Sequence, residues 1–202
     1  MKKFLPALIL SCCLASAAMA NDFTFAQAGL KIDLPNGFSL MSRADIDQFY
    51  APTRGPGFVI GNAAHTVTIS YDLKAQDIAG MNLAQSLKTF EQVFEQRLPG
   101  LVWKERKLLE HEKQQWLQLE FVSKSAGVEY YNIMLITPIK NQMLVLNLNS
   151  TLAEFPKAEP QLRAVMKSIA LNVVVPEMIT NPAPAAAVKK PAAGKKKDKS
   201  AS

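Results

Sequence analysis

The stretch that decides the fold runs from residue 101 to residue 149 and reads LVWKERKLLEHEKQQWLQLEFVSKSAGVEYYNIMLITPIKNQMLVLNLN. Leucine, valine, isoleucine and aromatic residues dominate it, and polar breaks fall at 112–114, 124–127 and 140–142. These breaks predict four strands, at about 101–110, 115–123, 128–137 and 143–149. Because such short connections join antiparallel neighbours, the four strands are predicted to form a meander.

Elements on both sides of the meander complete an α+β pattern. Residues 65–73 alternate between apolar and polar side chains, which predicts another strand. Asn82 is placed to begin an amphipathic helix that Pro99-Gly100 ends, and a last helix is predicted over about Glu159–Leu171. The sequence therefore predicts a single domain over residues 21–175, in which an antiparallel sheet of about six strands packs against two main helices.

The first 20 residues have the order of a bacterial secretory signal peptide. Lys2 and Lys3 precede an apolar run over 4–14, and small residues lead to a cleavage site after Ala20. The run is shorter than the roughly 20 residues that a membrane-spanning helix needs. We therefore expect export to the periplasm, with cleavage after Ala20 and no transmembrane segment in the mature chain.

The two cysteines, Cys12 and Cys13, lie inside this leader, so the mature chain is expected to have no disulfide and no cysteine ligand. An alternative remains open. The order Ile9-Leu10-Ser11-Cys12 is an imperfect lipobox, and lipidation at Cys12 would leave the protein anchored to a membrane.

The net positive charge of the chain comes from its two ends. The whole sequence carries +6, but residues 21–181 hold 15 basic and 16 acidic residues. Residues 176–202 are rich in proline, alanine and lysine and are predicted to form a disordered basic tail. The tail lysines are Lys189, Lys190, Lys195, Lys196, Lys197 and Lys199. They are candidates for attraction to an anionic envelope surface, and the alternative is a solubilising tail without a fixed partner. Specific nucleic-acid binding is not expected, because the tail has no aromatic residue for base stacking.

Two short motifs frame the elements described above. The sequence IDLPNGF at 32–38 precedes the strand and the long helix, and MKSI at 166–169 lies in the last helix. With this order of elements, the chain resembles the PsbP-like fold, which Mog-type Ran-binding proteins and bacterial DcrB-related envelope proteins share, although it lacks the glycine common in relatives before the strand near Gln115. The resemblance implies a non-enzymatic binding or accessory protein, and similar folds include immunity proteins against secreted toxins. Fold alone does not assign a function.

No pattern in the sequence predicts a catalytic, cofactor-binding or metal site. Glu110-His111-Glu112 with His65 could be imagined as metal ligands, but alternation on a strand would point the two glutamates away from His111. Nucleophile elbows and glycine-rich phosphate loops are absent from the sequence. We therefore expect a protein that is not an enzyme and needs no cofactor.

The predicted sheet offers a candidate partner surface. If Leu117, Leu119 and Phe121 joined the leucines of 144–148 against the helices, alternation would place the intervening residues on the opposite face. The candidate surface residues are Trp116, Gln118, Met143, Val145 and Asn147, with Glu120 and Asn149 beside them. Alternatively, segment 42–62 covers this face, and Trp116 and Met143 belong to a minor core.

These observations predict a periplasmic binding or accessory protein that acts through a protein surface on an unidentified protein partner, with the tail supplying loose attachment to the envelope. Two alternatives are an immunity protein that neutralises a toxin delivered to the periplasm and an envelope hydrolase whose site sequence motifs do not identify.

Overall fold

The structure is a computed structural model, which describes residues 21–50, 55–78, 80–98 and 100–171. The predicted signal peptide and basic tail lie outside the described residues. So do the last residues of the predicted domain, from 172 to 175.

The described residues form ten strands: β1 (Asn21–Phe25), β2 (Leu30–Leu34), β3 (Phe38–Leu40), β4 (Phe58–Asn62), β5 (Val67–Lys74), β6 (Val102–His111), β7 (Gln114–Ser125), β8 (Val128–Ile139), β9 (Gln142–Thr151) and β10 (Ala170–Leu171). They also form three α-helices: α1 (Arg43–Phe49), α2 (Leu83–Arg97) and α3 (Phe155–Ser168). Among them, no helix is long and apolar enough to cross a bilayer.

Seven strands form a main antiparallel sheet in the order β3-β4-β5-β9-β8-β7-β6. β1, β2 and β10 form a separate antiparallel sheet. The α+β class and the meander, β6 to β9, are confirmed, but the prediction of about six strands is too low. The strands that the sequence did not predict are β1, β4 and β10.

The long helices show where sequence signals worked and where they did not. α2 begins as predicted, because the side chain of Asn82 accepts hydrogen bonds from the backbone N–H groups of Ala84 and Gln85. α3 begins at Phe155 rather than at Glu159 and ends at Ser168 rather than at Leu171. Pro156 lies in the first turn of α3, where a proline is tolerated because its missing N–H would have no acceptor in the helix. Residues 170–171 leave the helix to pair with β2.

Helices cover both faces of the main sheet. On the α3 face, side chains of β5, β8 and β9 form one core with β1, β2 and α3, around Ile69, Leu146 and Leu162. On the α2 face, Leu119 and Phe121 of β7 pack against the apolar stripe of α2. The sheet is therefore buried on both sides, and only part of the α2 face remains open.

The register of β7, β8 and β9 corrects the predicted partner surface. Gln118 lies opposite Leu135, and Leu135 lies opposite Leu146. The α3 face therefore carries Trp116, Gln118 and Glu120 together with Leu144, Leu146 and Leu148. The α2 face carries Leu117, Leu119 and Phe121 together with Met143, Val145 and Asn147. The prediction of one shared face for Trp116, Gln118, Met143, Val145 and Asn147 is wrong.

One turn accounts for this error. A three-residue turn at 140–142 would pair residue 139 with residue 143, but Ile139 pairs with Gln142 around the two-residue turn Lys140-Asn141. Lys140 adopts a positive φ of 51° that such a tight turn requires. A shift of one residue moves every side chain of a strand to the other face. Trp116 belongs to the core that includes residues of α3, with 1% of its surface exposed.

Candidate binding pocket

The α2 face changes from apolar to polar across its central strands. Asn149 on β9 lies opposite both Asn132 on β8 and Thr68 on β5, so the three form one row across the sheet. Ser70 and Asn147 lie opposite each other in the next row. A band of amides and hydroxyls thus occupies the middle of the face, where burial favours apolar side chains.

α1 lies at one end of this polar band. The Ser42 side chain accepts a hydrogen bond from the backbone N–H of Asp45, and the Asp45 side chain accepts one from the backbone N–H of Ser42. This capping box fixes the start of the helix. Ile46 of α1 packs on Val59 of β4, with Tyr50 against the same cluster. Segment 41–50 therefore covers one end of the α2 face, as the alternative interpretation of the sequence expected in part.

A pocket of about 180 Å³ opens between α1 and the β7–β8 hairpin. It is lined by Met41, Phe49, Tyr50, His65, Thr66, Thr68, Ser123, Ser125, Tyr130, Asn132 and Asn149. Among these described lining residues there is no carboxylate, lysine or arginine. The wall is therefore built from hydroxyls, amides, phenols, one imidazole and a few apolar groups.

Several wall groups keep part of their hydrogen-bonding capacity. Nδ2 of Asn132 has two protons and three acceptors within reach, namely the carbonyls of Phe121 and Tyr130 and the Ser123 hydroxyl at 3.1 Å, so this nitrogen is satisfied and Oδ1 is left to accept. Oγ1 of Thr66 accepts from Nδ2 of Asn62 at 3.0 Å, which leaves its own proton to donate. The pocket therefore offers both donors and acceptors.

Tyr50 adds a further donor. Burial raises the pKa of its phenol, and hydrogen bonds with the side chains of Thr68 and Ser70 offset part of that increase. A phenol with a raised pKa keeps its proton at neutral pH. Tyr50 can thus donate a hydrogen bond throughout the physiological range.

Two asparagines on β9 distinguish this region from an ordinary core. Oδ1 of Asn147 and Oδ1 of Asn149 are buried, and neither accepts a hydrogen bond from any residue that the structure describes. A buried polar atom without a partner costs about 1–3 kcal/mol. Asn149 lines the pocket and Asn147 does not, so the two differ in position while sharing strand, face and chemistry.

The rim of the pocket is partly apolar. Phe49 at the end of α1 is 47% exposed and meets the His65 ring edge to face, with ring centres 5.8 Å apart. Met41 is a second apolar residue of the wall. Apolar groups around a polar floor are common where proteins bind small molecules or partner side chains.

The second histidine lies elsewhere. His111 lines a cleft of about 50 Å³ with Trp116 and Ile169, and its Nε2 is 2.6 Å from the Ile169 carbonyl oxygen. His65 does not line this cleft, so the two histidines imagined as partners are not brought together. Within the described residues, no three histidine or carboxylate side chains converge to hold a metal ion.

A buried ion pair on the α3 face has a structural role. Arg163 of α3 bonds both carboxylate oxygens of Glu120, which is 1% exposed, and the Tyr131 hydroxyl donates to the same carboxylate at 2.8 Å. Burial would raise the pKa of Glu120, but the hydrogen bonds from Arg163 and Tyr131 outweigh it and leave that pKa below its usual value. Sequence reasoning placed Glu120 on an open face and missed this contact.

The five residues of the predicted partner surface lie on two different faces of the sheet. Trp116 and Gln118 are buried on the α3 face, Met143 is buried on the α2 face, and Val145 and Asn147 lie beside it without lining the pocket. A role in partner binding is untested for all five residues. The six tail lysines lie outside the described residues.

Comparison with known proteins yields matches of fold and not of sequence. No family model and no curated protein sequence matches the chain. The solution structure of the cyanobacterial PsbP protein CyanoP from Synechocystis sp. PCC 6803 aligns over 81% of this chain and 98% of its own, with a TM-score of 0.54 and 14% identity.

Two further structures align more loosely. LpqN of Mycobacterium tuberculosis, described as involved in cell envelope biogenesis, covers 77% of this chain and 86% of its own at 14% identity and a TM-score of 0.48. The type VI secretion immunity protein TplEi of Pseudomonas aeruginosa covers 58% of this chain and 44% of its own at 10% identity and a TM-score of 0.41.

The long alignment with CyanoP agrees with the order of elements, and the chain has a PsbP-like fold.

Proposed function

We propose that this protein is an exported, non-enzymatic binding protein that recognises its partner with the polar pocket on the α2 face. The observation that carries the proposal is the band of amides and hydroxyls in the middle of a sheet face that is otherwise packed with apolar residues. Such a band weakens the fold, and proteins keep destabilising groups where function needs them.

The sequence supports export, because residues 1–20 have the order of a secretory signal peptide. The mature protein would then act in the periplasm.

In-cell crosslinking tests the binding role. A photo-crosslinking amino acid at Ser125, an exposed position on the pocket rim, should capture a specific partner in intact cells. The matched control is Gln161, an exposed polar position on α3 at the other side of the sheet. Equal crosslinking patterns from the two positions would contradict the proposal.

The tail gives a second, separable prediction. Deletion of residues 182–202 removes all six tail lysines, and we expect it to abolish the salt-sensitive association of the protein with envelope fractions. The measurement is fractionation of the full-length and truncated proteins at low and high salt. Identical fractionation would show that the tail does not attach the protein to the envelope. It would not bear on the proposed role of the pocket.

A further inference from the structure

We propose that the polar pocket binds an uncharged saccharide ring of a glycan. This inference rests on the proposed function and specifies the ligand class of the same site. It follows from three properties of the pocket: the absence of carboxylates, lysines and arginines among its described lining residues, its paired donors and acceptors, and its aromatic rim.

The side chains of the wall first limit the charge that a ligand can carry. A carboxylate or phosphate ligand needs cationic partners or several backbone N–H groups, and an ammonium needs carboxylates. The described lining residues include no lysine, arginine or carboxylate. A neutral ligand can leave water for this wall without the large cost of desolvating a charge.

The hydrogen-bonding pattern then favours hydroxyl groups. Oδ1 of Asn132 is left to accept, while Thr66 and Ser123, whose hydroxyl oxygens already accept, are left to donate. A ligand hydroxyl donates and accepts through one atom, so it matches a wall in which both kinds of group are interleaved. An extended peptide is less suited, because the backbone groups of β5, β8 and β9 are already used by neighbouring strands.

Size and shape agree with one sugar ring. The volume of about 180 Å³ lies below the roughly 300–1,000 Å³ of pockets for drug-sized ligands, so the pocket fits a single ring better than a large molecule. Phe49 and Tyr130 lie on opposite elements of the wall and offer flat apolar surfaces for the C–H face of a ring. The remainder of a glycan would extend through the open mouth.

Titration of the full-length purified protein with two neutral disaccharides, chitobiose and maltose, tests this proposal. Nuclear magnetic resonance should show saturable shifts of the Asn132 and Asn149 side-chain amides with at least one of them, and the preferred sugar identifies an N-acetylated or a plain hexose. Affinity should be the same at low and high salt, because no charge is neutralised. Absence of shifts with both sugars, or an affinity that falls with salt, would overturn the proposal.

The two β9 asparagines supply matched variants. Asn149→Leu should weaken saccharide binding about tenfold, and Asn147→Leu should leave it unchanged, because only Asn149 lines the pocket. Equal effects of the two substitutions would contradict the inference. If Asn149→Leu does not fold, Tyr130→Phe removes a hydroxyl from the same wall and is expected to weaken binding in the same direction. Crosslinking from Ser125 in the absence of sugar binding would leave the proposed function standing and exclude only the ligand class.

Discussion

Replacement of Arg163 by methionine is expected to lower the free energy of unfolding by about 3 kcal/mol at neutral pH. Removing one partner of a buried ion pair leaves an uncompensated charge, which costs about 3–5 kcal/mol. The lower end applies because the Arg163 side chain is 30% exposed and because Tyr131 and Gln118 still donate to Glu120. Urea unfolding of the purified wild type and variant, monitored by circular dichroism, measures the difference.

The pH dependence of this effect has a definite sign. The pKa of Glu120 in the fold lies below its usual value, so its ionised form contributes stability above the unfolded carboxyl pKa of about 4.3. That contribution is lost as the pH falls through the lowered pKa in the folded state. The wild type and Arg163→Met should therefore differ most at neutral pH and converge in acid.

Glu159→Gln is the control for the same contact. Glu159 also bonds Arg163, at 3.2 Å, but its side chain is 43% exposed. An exposed pair of this kind contributes at most about 1 kcal/mol, so the control should cost far less than Arg163→Met. Similar losses in the two variants would show that the contact with Glu120 does not hold α3 on the sheet.

Trp116→Ala is expected to cost about 3–5 kcal/mol, the range for loss of a large buried aromatic side chain. Trp116 is 1% exposed and belongs to the core that α3 and β2 share with the main sheet. A residue on an open partner surface would cost only about 0.5 kcal/mol or less. The unfolding free energies of the wild type and variant therefore test the burial of Trp116.

Two controls sharpen this test. Trp103 is only partly buried, against Phe94 and Phe121 near the edge of the sheet, so Trp103→Ala should cost less than Trp116→Ala. Nε1 of Trp116 has no acceptor among the described residues, so Trp116→Phe loses packing without breaking a hydrogen bond and should cost less than the alanine variant. A Trp116→Ala protein as stable as the wild type would contradict the assignment of this residue to the core.

The sequence predicted the elements better than the relation between them. The sequence indicates where each strand of the meander lies. In β8, however, consecutive residues are apolar, Ile133-Met134-Leu135-Ile136, so the pattern does not show which side chains point to which face of the sheet. The relative phase of β7 and β9 then depends on turn length alone. Treating 140–142 as the turn, instead of Lys140-Asn141, was sufficient to divide the predicted surface between two faces.

The pocket could not be predicted from the sequence for a related reason. Its wall combines α1, β5, β7, β8 and β9 with the turn at His65, and their approach depends on the fold of the whole sheet. One signal was present. Asn132, Asn147 and Asn149 are amides within otherwise apolar strands, and such residues mark positions where packing alone does not explain the sequence.

Crosslinking from Ser125 in the two asparagine variants tests the central claim most directly. We expect that Asn149→Leu strongly reduces partner capture in intact cells, that Asn147→Leu preserves it, and that both proteins unfold at or above the wild-type midpoint. The last expectation follows because each substitution removes a buried acceptor without a described partner. Undiminished capture in a folded Asn149→Leu protein would contradict the assignment of the polar pocket as the binding site.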